Sequence, residues 1–185
     1  ISDGTTYIYG NVVQTGSADK TFTITNTGSL GATALTGTGL AAPFTFKGGS
    51  FPGSGGTCAA TLAAAGTCLV VVTVTPPSTG AYNDTLDITY NNGVSGQTSS
   101  RDIQGTGAAP ASLTLSNGPT FSFGSIANNG TVDATLTVTN GGGVPATSMA
   151  GSGLAATYSF KGAAYPGTAG TCSTSLAAGA TCTIV

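Results

Sequence analysis

The chain has 185 residues and a formal net charge of −2, with only 5% of its residues charged, against about 25% in a typical soluble domain. Its cations Lys20, Lys47, Arg101 and Lys161 are scattered, which excludes nucleic acid as a partner, because that binding needs a clustered basic face. The chain contains no His, so neither a Ser-His nor a Cys-His pair is available, and the reading predicts no enzyme and no cofactor.

Residues 1–10 lack the basic start and apolar run of a secretory signal, and the chain opens on Ile1 rather than Met. It therefore reads as a mature or excised segment. Lys20 to Asn26 alternates, with Phe22 and Ile24 on one face of a predicted strand and Thr21, Thr23 and Thr25 on the other. Gly37-Thr38-Gly39-Leu40-Ala41-Ala42 fits the loose dinucleotide pattern G-x-G-x-x-A, and Gly151 to Ala156 repeats it. Pyrophosphate binding there needs a helix directly after the glycines. Pro43 and the strand-like Phe44-Thr45-Phe46 follow instead, so the segment reads as a turn.

Ala59 to Ala65 is short and carries no amphipathic stripe, and it reads as a loop or a single turn. The longest strongly apolar run, Leu69-Val70-Val71-Val72, is far too short to cross a bilayer, so no membrane insertion is expected. Val70, Val72 and Val74 line one face of the strand after Cys68. Tyr82, Leu86, Ile88 and Tyr90 share one parity of the next strand, and Asn83, Thr85, Asp87 and Thr89 take the other. Asp84 and Asp87 are three residues apart on that strand, hence on opposite faces, and cannot act as a paired carboxylate site. Asn91-Asn92-Gly93 supplies a hairpin turn, and Ser99 to Gln104 forms the return strand. Asn129-Gly130 turns between two further strands. Asn83-Asp84-Thr85 and Asn129-Gly130-Thr131 are glycosylation sequons. Short strands bounded by Gly, Pro and Asn, with no helical period, predict an all-β chain of β-sandwiches.

Positions 6–71 align with 120–185 without a gap, and nearly half of them are identical. A repeat of this length is a whole domain, longer than the roughly 20–50 residues of a solenoid unit. Repeat 1 is placed at residues 1–108 and repeat 2 at 109–185, joined by the linker Gly107-Ala108-Ala109-Pro110-Ala111. Ile1 aligns with Leu115 and Val185 with Val71. Repeat 1 is therefore expected to lack most of its opening strand. Repeat 2 is expected to be incomplete at its C-terminus, without counterparts of Tyr82–Tyr90 and Ser99–Gln104. Two sources for those strands remain open: the rest of a longer array, or a neighbouring molecule by donor-strand complementation.

All four cysteines lie in the repeated stretch: Cys58 and Cys68 in the first copy, Cys172 and Cys182 in the second. Four cysteines allow three pairings, and the duplication favours one bridge within each copy. A metal site of four thiolates would need the two domains to face each other and shorter ligand spacings. Disulfides, together with a neutral surface of Thr, Ser, Asn and Gly, point to an oxidising compartment.

Lys47, Asn26 and Asp19 recur as Lys161, Asn140 and Asp133. A Lys amine, an Asn amide and a nearby carboxyl are the ingredients of an intramolecular isopeptide bond. The alternative is that Asp19 and Asn26 serve turns while Lys47 opens a loop. Phe51 and Tyr165 lie in Gly-rich loops, Gly48–Gly56 and Gly162–Gly170. They offer either stacking surfaces for a ligand or plugs for the end of a core.

Leu113-Thr114-Leu115, Phe121-Ser122-Phe123-Gly124-Ser125-Ile126 and Leu136-Thr137-Val138-Thr139-Asn140 resemble the start of the bacterial surface modules known as choice-of-anchor D domains, relatives of the ASPM–SPD-2–hydin group. The resemblance continues through Cys58 to Cys68, Val74-Thr75-Pro76-Pro77-Ser78-Thr79-Gly80 and Asp102-Ile103-Gln104-Gly105-Thr106-Gly107. It implies Ig-like sandwiches in a multi-repeat, extracellular or surface-anchored bacterial protein, with no catalytic residues to transfer. The segment from Phe46 to Gly56 is a longer Gly-rich insertion than the family pattern has.

Two functions are expected from this reading. The first is a non-enzymatic structural module, a stalk or filament segment that associates with itself or with neighbouring repeats, since the chain has few charges with which to protect its sheet edges. The alternative is an adhesin-type binding module that recognises a glycan or host receptor through its Gly-rich loops.

Overall fold

In the computed structural model, which describes residues 1–185, the alternating segments become strands and no residue is helical. The chain divides into two units, Ile1–Ala108 and Ala109–Val185. Unit 1 contains β1 (Thr6–Val13), β2 (Ala18–Thr25), β3 (Ala32–Thr38), β4 (Phe44–Phe46), β5 (Thr61–Leu62), β6 (Thr67–Val74), β7 (Gly80–Asn91) and β8 (Gly96–Ala108). They form a five-stranded sheet in the order β1-β8-β7-β3-β5 and a three-stranded sheet in the order β2-β6-β4.

The core lies between these sheets. Phe22, Ile24, Val70, Val72 and Val74 from the smaller sheet meet Leu35, Leu86, Ile88 and Ile103 from the larger one in a single buried cluster. Period-2 alternation puts every second side chain of a strand on that face. Val71, of opposite parity on β6, is also buried, and its main-chain groups bond to Lys47 and Pro52 in the segment after β4.

The longest pairing is the β7–β8 hairpin, in continuous antiparallel register from Gly80↔Gly107 to Asn91↔Gly96. Gly93 takes a φ of 95° at its tip, and Asn92 Oδ1 accepts hydrogen bonds from the amides of Val94 and Ser95, both at 2.9 Å. The return strand extends past the predicted Ser99–Gln104 because β7 pairs with it from Gly96 to Gly107 and β1 pairs with its other edge as far as Ala108. That pairing is parallel, with Thr6↔Asp102 at one end and Val13↔Ala108 at the other.

Unit 2 contains β9 (Leu113–Leu115), β10 (Leu136–Asn140), β11 (Ala146–Thr147), β12 (Ser175–Leu176) and β13 (Thr181–Ile184). They form sheets β13-β10-β9 and β11-β12 around a small core of Val138, Ala146, Cys172, Leu176 and Cys182. Asn129 and Gly130 do turn, with Asn129 at φ 62° and Gly130 N donating to Ala127 O at 2.8 Å. Of the two strands expected to flank that turn, the second is present as β10, beginning only at Leu136, and the first is absent, since residues 116–135 carry no strand. The reason lies in unit 1, where β1 takes its main-chain partners from β8, and unit 2 has no counterpart of β8. Ala59–Ala65 also differs from the expected loop, because Thr61–Leu62 pairs briefly with β3.

Candidate functional site

The repeated cysteine stretch and the Gly-rich segment before it form one construction along the outer edge of β6. β4 pairs with Val72–Val74, and the following residues then continue along the same edge without being a regular strand. Lys47 N donates to Val71 O at 3.0 Å, and Val71 N donates to Pro52 O at 2.8 Å. Leu69 N donates to Thr57 Oγ1 at 3.0 Å. Leu69 O accepts from the amides of Thr57 and Cys58 at 2.9 and 3.2 Å. Edge groups that would otherwise stand open to another strand are thereby satisfied.

Two residue choices shape this strap. Gly53 has a φ of 87° and a Cβ there would fall on the Val71 carbonyl oxygen, so only glycine fits. Gly37 lies beneath the rings of Phe46 and Phe51, each 2.5 Å from where its Cβ would stand. Those two rings meet edge to face, 5.6 Å between centroids, and both pack on the core. Phe51 is thus a plug rather than an open stacking surface. Tyr165 does the same in unit 2, 5.5 Å from Phe160 and edge to face.

A disulfide closes each strap. Cys58 is bonded to Cys68 across a Cα–Cα distance of 4.8 Å, and Cys172 to Cys182 across 4.9 Å. With every cysteine sulfur so engaged, a four-thiolate metal site has no ligands. The strap of unit 2 repeats the first in its details: Lys161 N to Val185 O at 2.8 Å, Val185 N to Pro166 O at 2.8 Å, and Thr171 N and Cys172 N to Thr183 O at 2.9 and 3.1 Å.

The isopeptide constellation does not assemble. Lys47 Nζ lies 2.6 Å from Asp19 Oδ2, while Asn26 stands past the other end of β2, seven residues and roughly 23 Å further along an extended strand. Lys161 pairs with Asp133 at the same 2.6 Å. Both pairs are substantially solvated ion pairs, without the dry surroundings that amide formation would require. The Lys47 ammonium, with help from the Thr73 hydroxyl, holds the Asp19 carboxyl below its ordinary range.

Asn26 and Asn140 have a different task, which the repetition alone did not define. Asn26 Nδ2 donates to the carbonyls of Leu30, Leu62 and Ala63 at 2.8–3.1 Å. Its Oδ1 accepts from Gly28 N at 3.0 Å. Asn140 Nδ2 reaches Val144, Leu176 and Ala177 at 3.0–3.2 Å. Its Oδ1 accepts from Gly142 N and Ser112 N at 3.0 and 3.1 Å. Each Asn ties the end of one strand to the loop inside the disulfide.

A further concavity of unit 1 is a groove of about 720 Å³ beside β2, lined by Ile24, Leu35, Leu62 and Ile88 together with Thr25 and Asn26. In unit 2, β9 lies along the corresponding edge, pairing Leu113–Leu115 with β10. Gly37 and Thr38, read from sequence as part of a turn, are instead the last residues of β3, paired with Ile88 and Asp87, and the chain from Gly39 leads to β4 rather than to a helix. Asp84 and Asp87 are engaged separately, by Ala41 N at 2.7 Å and by the Ser100 hydroxyl at 2.6 Å. No helix is long and apolar enough to cross a membrane.

No family profile matches the chain, and no curated protein matches it in sequence. Among solved structures, a PapD-like (ASH) domain of human CEP192 aligns over 58% of this chain and 84% of its own, at 16% identity and a TM-score of 0.44. The VesB protease of Vibrio cholerae aligns over 55% of this chain and 30% of its own, at 20% identity and a TM-score of 0.44.

Proposed function

We infer that the chain is a non-enzymatic extracellular structural module, a stalk or filament segment of a bacterial surface protein built from tandem Ig-like sandwiches. The observation that carries this reading is the duplicated strap. The same main-chain bonds, aromatic plug, ion pair and disulfide recur 114 residues apart, although nothing in them is arranged to act on a ligand. Such duplication serves load-bearing or spacing better than recognition. Two disulfides fit an oxidising compartment, and a chain with 5% charged residues has little to repel its own copies.

Self-association is therefore part of the function. Sedimentation of the full chain over a range of concentrations tests it: oligomers or fibres that grow with concentration support the reading, and a monomer at high concentration refutes it. The glycan-binding alternative draws no support from Phe51 and Tyr165, whose rings are turned into their own units.

A further inference from the structure

Asn is followed by Gly at Asn92-Gly93, Asn117-Gly118, Asn129-Gly130 and Asn140-Gly141. In such a pair the Gly main-chain nitrogen can reach the Asn carboxamide carbon, and no Gly side chain obstructs it. The fold restrains three of the pairs. The Asn140 carboxamide is engaged by five main-chain groups, and Gly141 N donates to Ser112 O at 2.8 Å. Asn92 Oδ1 accepts from Val94 and Ser95, while Gly93 N donates to Asn91 Oδ1 at 2.8 Å. Asn129 has a free side chain, but Gly130 N donates to Ala127 O at 2.8 Å. Asn117-Gly118 is different: neither the carboxamide nor Gly118 N has a partner, and both residues are exposed.

Unit 1 builds the same turn with an acid in place of this Asn. Ser2 N donates to Thr23 O at 2.9 Å and Thr23 N to Ser2 Oγ at 3.0 Å. Their counterparts repeat the anchor, Ser116 N to Thr137 O at 2.8 Å and Thr137 N to Ser116 Oγ at 3.0 Å. Asp3 and Gly4 follow at φ 73° and 76°, and Asn117 and Gly118 both at 70°, a left-handed conformation that Asn, Asp and Gly tolerate. The turn thus accepts a carboxylate, and it is open to water in both units. We propose that Asn117-Gly118 is a self-modifying site, where the chain converts its own Asn to Asp and isoaspartate. Base takes the proton of Gly118 N, and that nitrogen attacks Cγ of Asn117. The Cγ–Nδ2 bond breaks, and Nδ2 leaves as ammonia after taking a proton from water. Water then opens the cyclic imide. Opening at Cγ yields Asp, and opening at the Asn117 main-chain carbonyl yields the isoaspartyl link. Asp3 has Lys20 Nζ at 3.1 Å, but Ala134 stands where Lys20 would. The new charge is therefore unpaired.

The full chain, aged in mildly alkaline buffer and digested after its aromatic residues and leucines, tests the proposal by peptide mass. The Asn117 peptide is expected to gain a water and lose an ammonia first. It should react about tenfold or more faster than the Asn92 and Asn140 peptides, which must first break hydrogen bonds. Asn129 should fall between them. Two products should separate, one of them a substrate for an isoaspartyl methyltransferase, and in denaturant the four rates should converge. Asn117→Gln, whose longer side chain closes the ring poorly, should silence the peptide. An Asn117 peptide that keeps its mass, or that reacts no faster than those of Asn92 and Asn140, overturns the proposal. So does a spread of rates that persists unchanged in denaturant, since the fold would then not be its cause. These readouts are independent of whether the chain assembles.

Discussion

Phe44 and Tyr158 hold the same position in the two repeats and the same aromatic cluster, yet one is wholly buried and the other 54% exposed. One substitution should therefore have two costs. Phe44→Ala is expected to destabilise unit 1 by about 3–5 kcal/mol, through lost burial and a cavity. Tyr158→Ala should cost unit 2 less than about 1 kcal/mol, as at other exposed sites. Denaturant unfolding that resolves the two units checks this, and equal costs would contradict the difference in burial.

Replacing Cys58 and Cys68 together by Ala should lower the stability of unit 1 by about 2.7 kcal/mol, the chain-entropy value for a loop of this length. The Cys172 and Cys182 pair should cost unit 2 a similar amount. Reduction of the wild-type chain should shift both transitions. If neither moves, the bridges are ornaments on straps held by hydrogen bonds alone.

Asn140 is fully buried and makes five hydrogen bonds to main-chain groups. Asn140→Ala strands buried carbonyls and amides and should cost about 1–3 kcal/mol or more. Asn26→Ala should cost less, because Asn26 is only partly buried and water can reach its partners. Thermal melts of the two variants decide the order.

Burial pushes the Tyr9 phenol well above its ordinary range, and its hydroxyl donates to Val72 O at 3.0 Å. The neutral form is favoured in the folded state, so its stabilisation is fully present below about pH 10 and declines as the pH climbs above that. Tyr9→Phe should flatten the alkaline slope. A wild-type stability that does not fall above about pH 10 would remove the effect.

The Lys47–Asp19 contact should remain non-covalent. The intact mass of the reduced chain is expected to equal the sequence mass, and a loss of water or ammonia would show a bond instead. Since Asp19 is held below its ordinary pKa, its small contribution is present above about pH 4 and fades as the pH falls through the lowered value. For so exposed a pair, Asp19→Asn should cost no more than about 1 kcal/mol.

The strands of unit 1 were legible because Phe22 and Ile24, or Leu86 and Ile88, alternate against Thr and Asp, and alternation is a local signal. The hairpin tip was legible for the same reason, since Asn92 and Gly93 write their turn into adjacent residues. The absent strand before Asn129 was not. Residues 120–127 match β1 in composition, but strand formation there depends on a partner far away in sequence. Asn26 and Asn140 were visible as a repeated pair, and the chemistry of Lys and Asn suggested a bond between them. Their real partners are carbonyls of the disulfide loop, which no side-chain pattern reveals. Phe51 and Tyr165 were ambiguous until the rings of Phe46 and Phe160 were seen against them.

The parallel pairing of β1 with β8 sets the first and last strands of unit 1 side by side and pointing the same way. A force that draws the ends of this unit apart pulls β1 toward its start and β8 toward its finish. The load then runs along the ladder, and its hydrogen bonds resist in shear together instead of unzipping one at a time. Residues 120–127 stand in no ladder, so that resistance in shear belongs to unit 1.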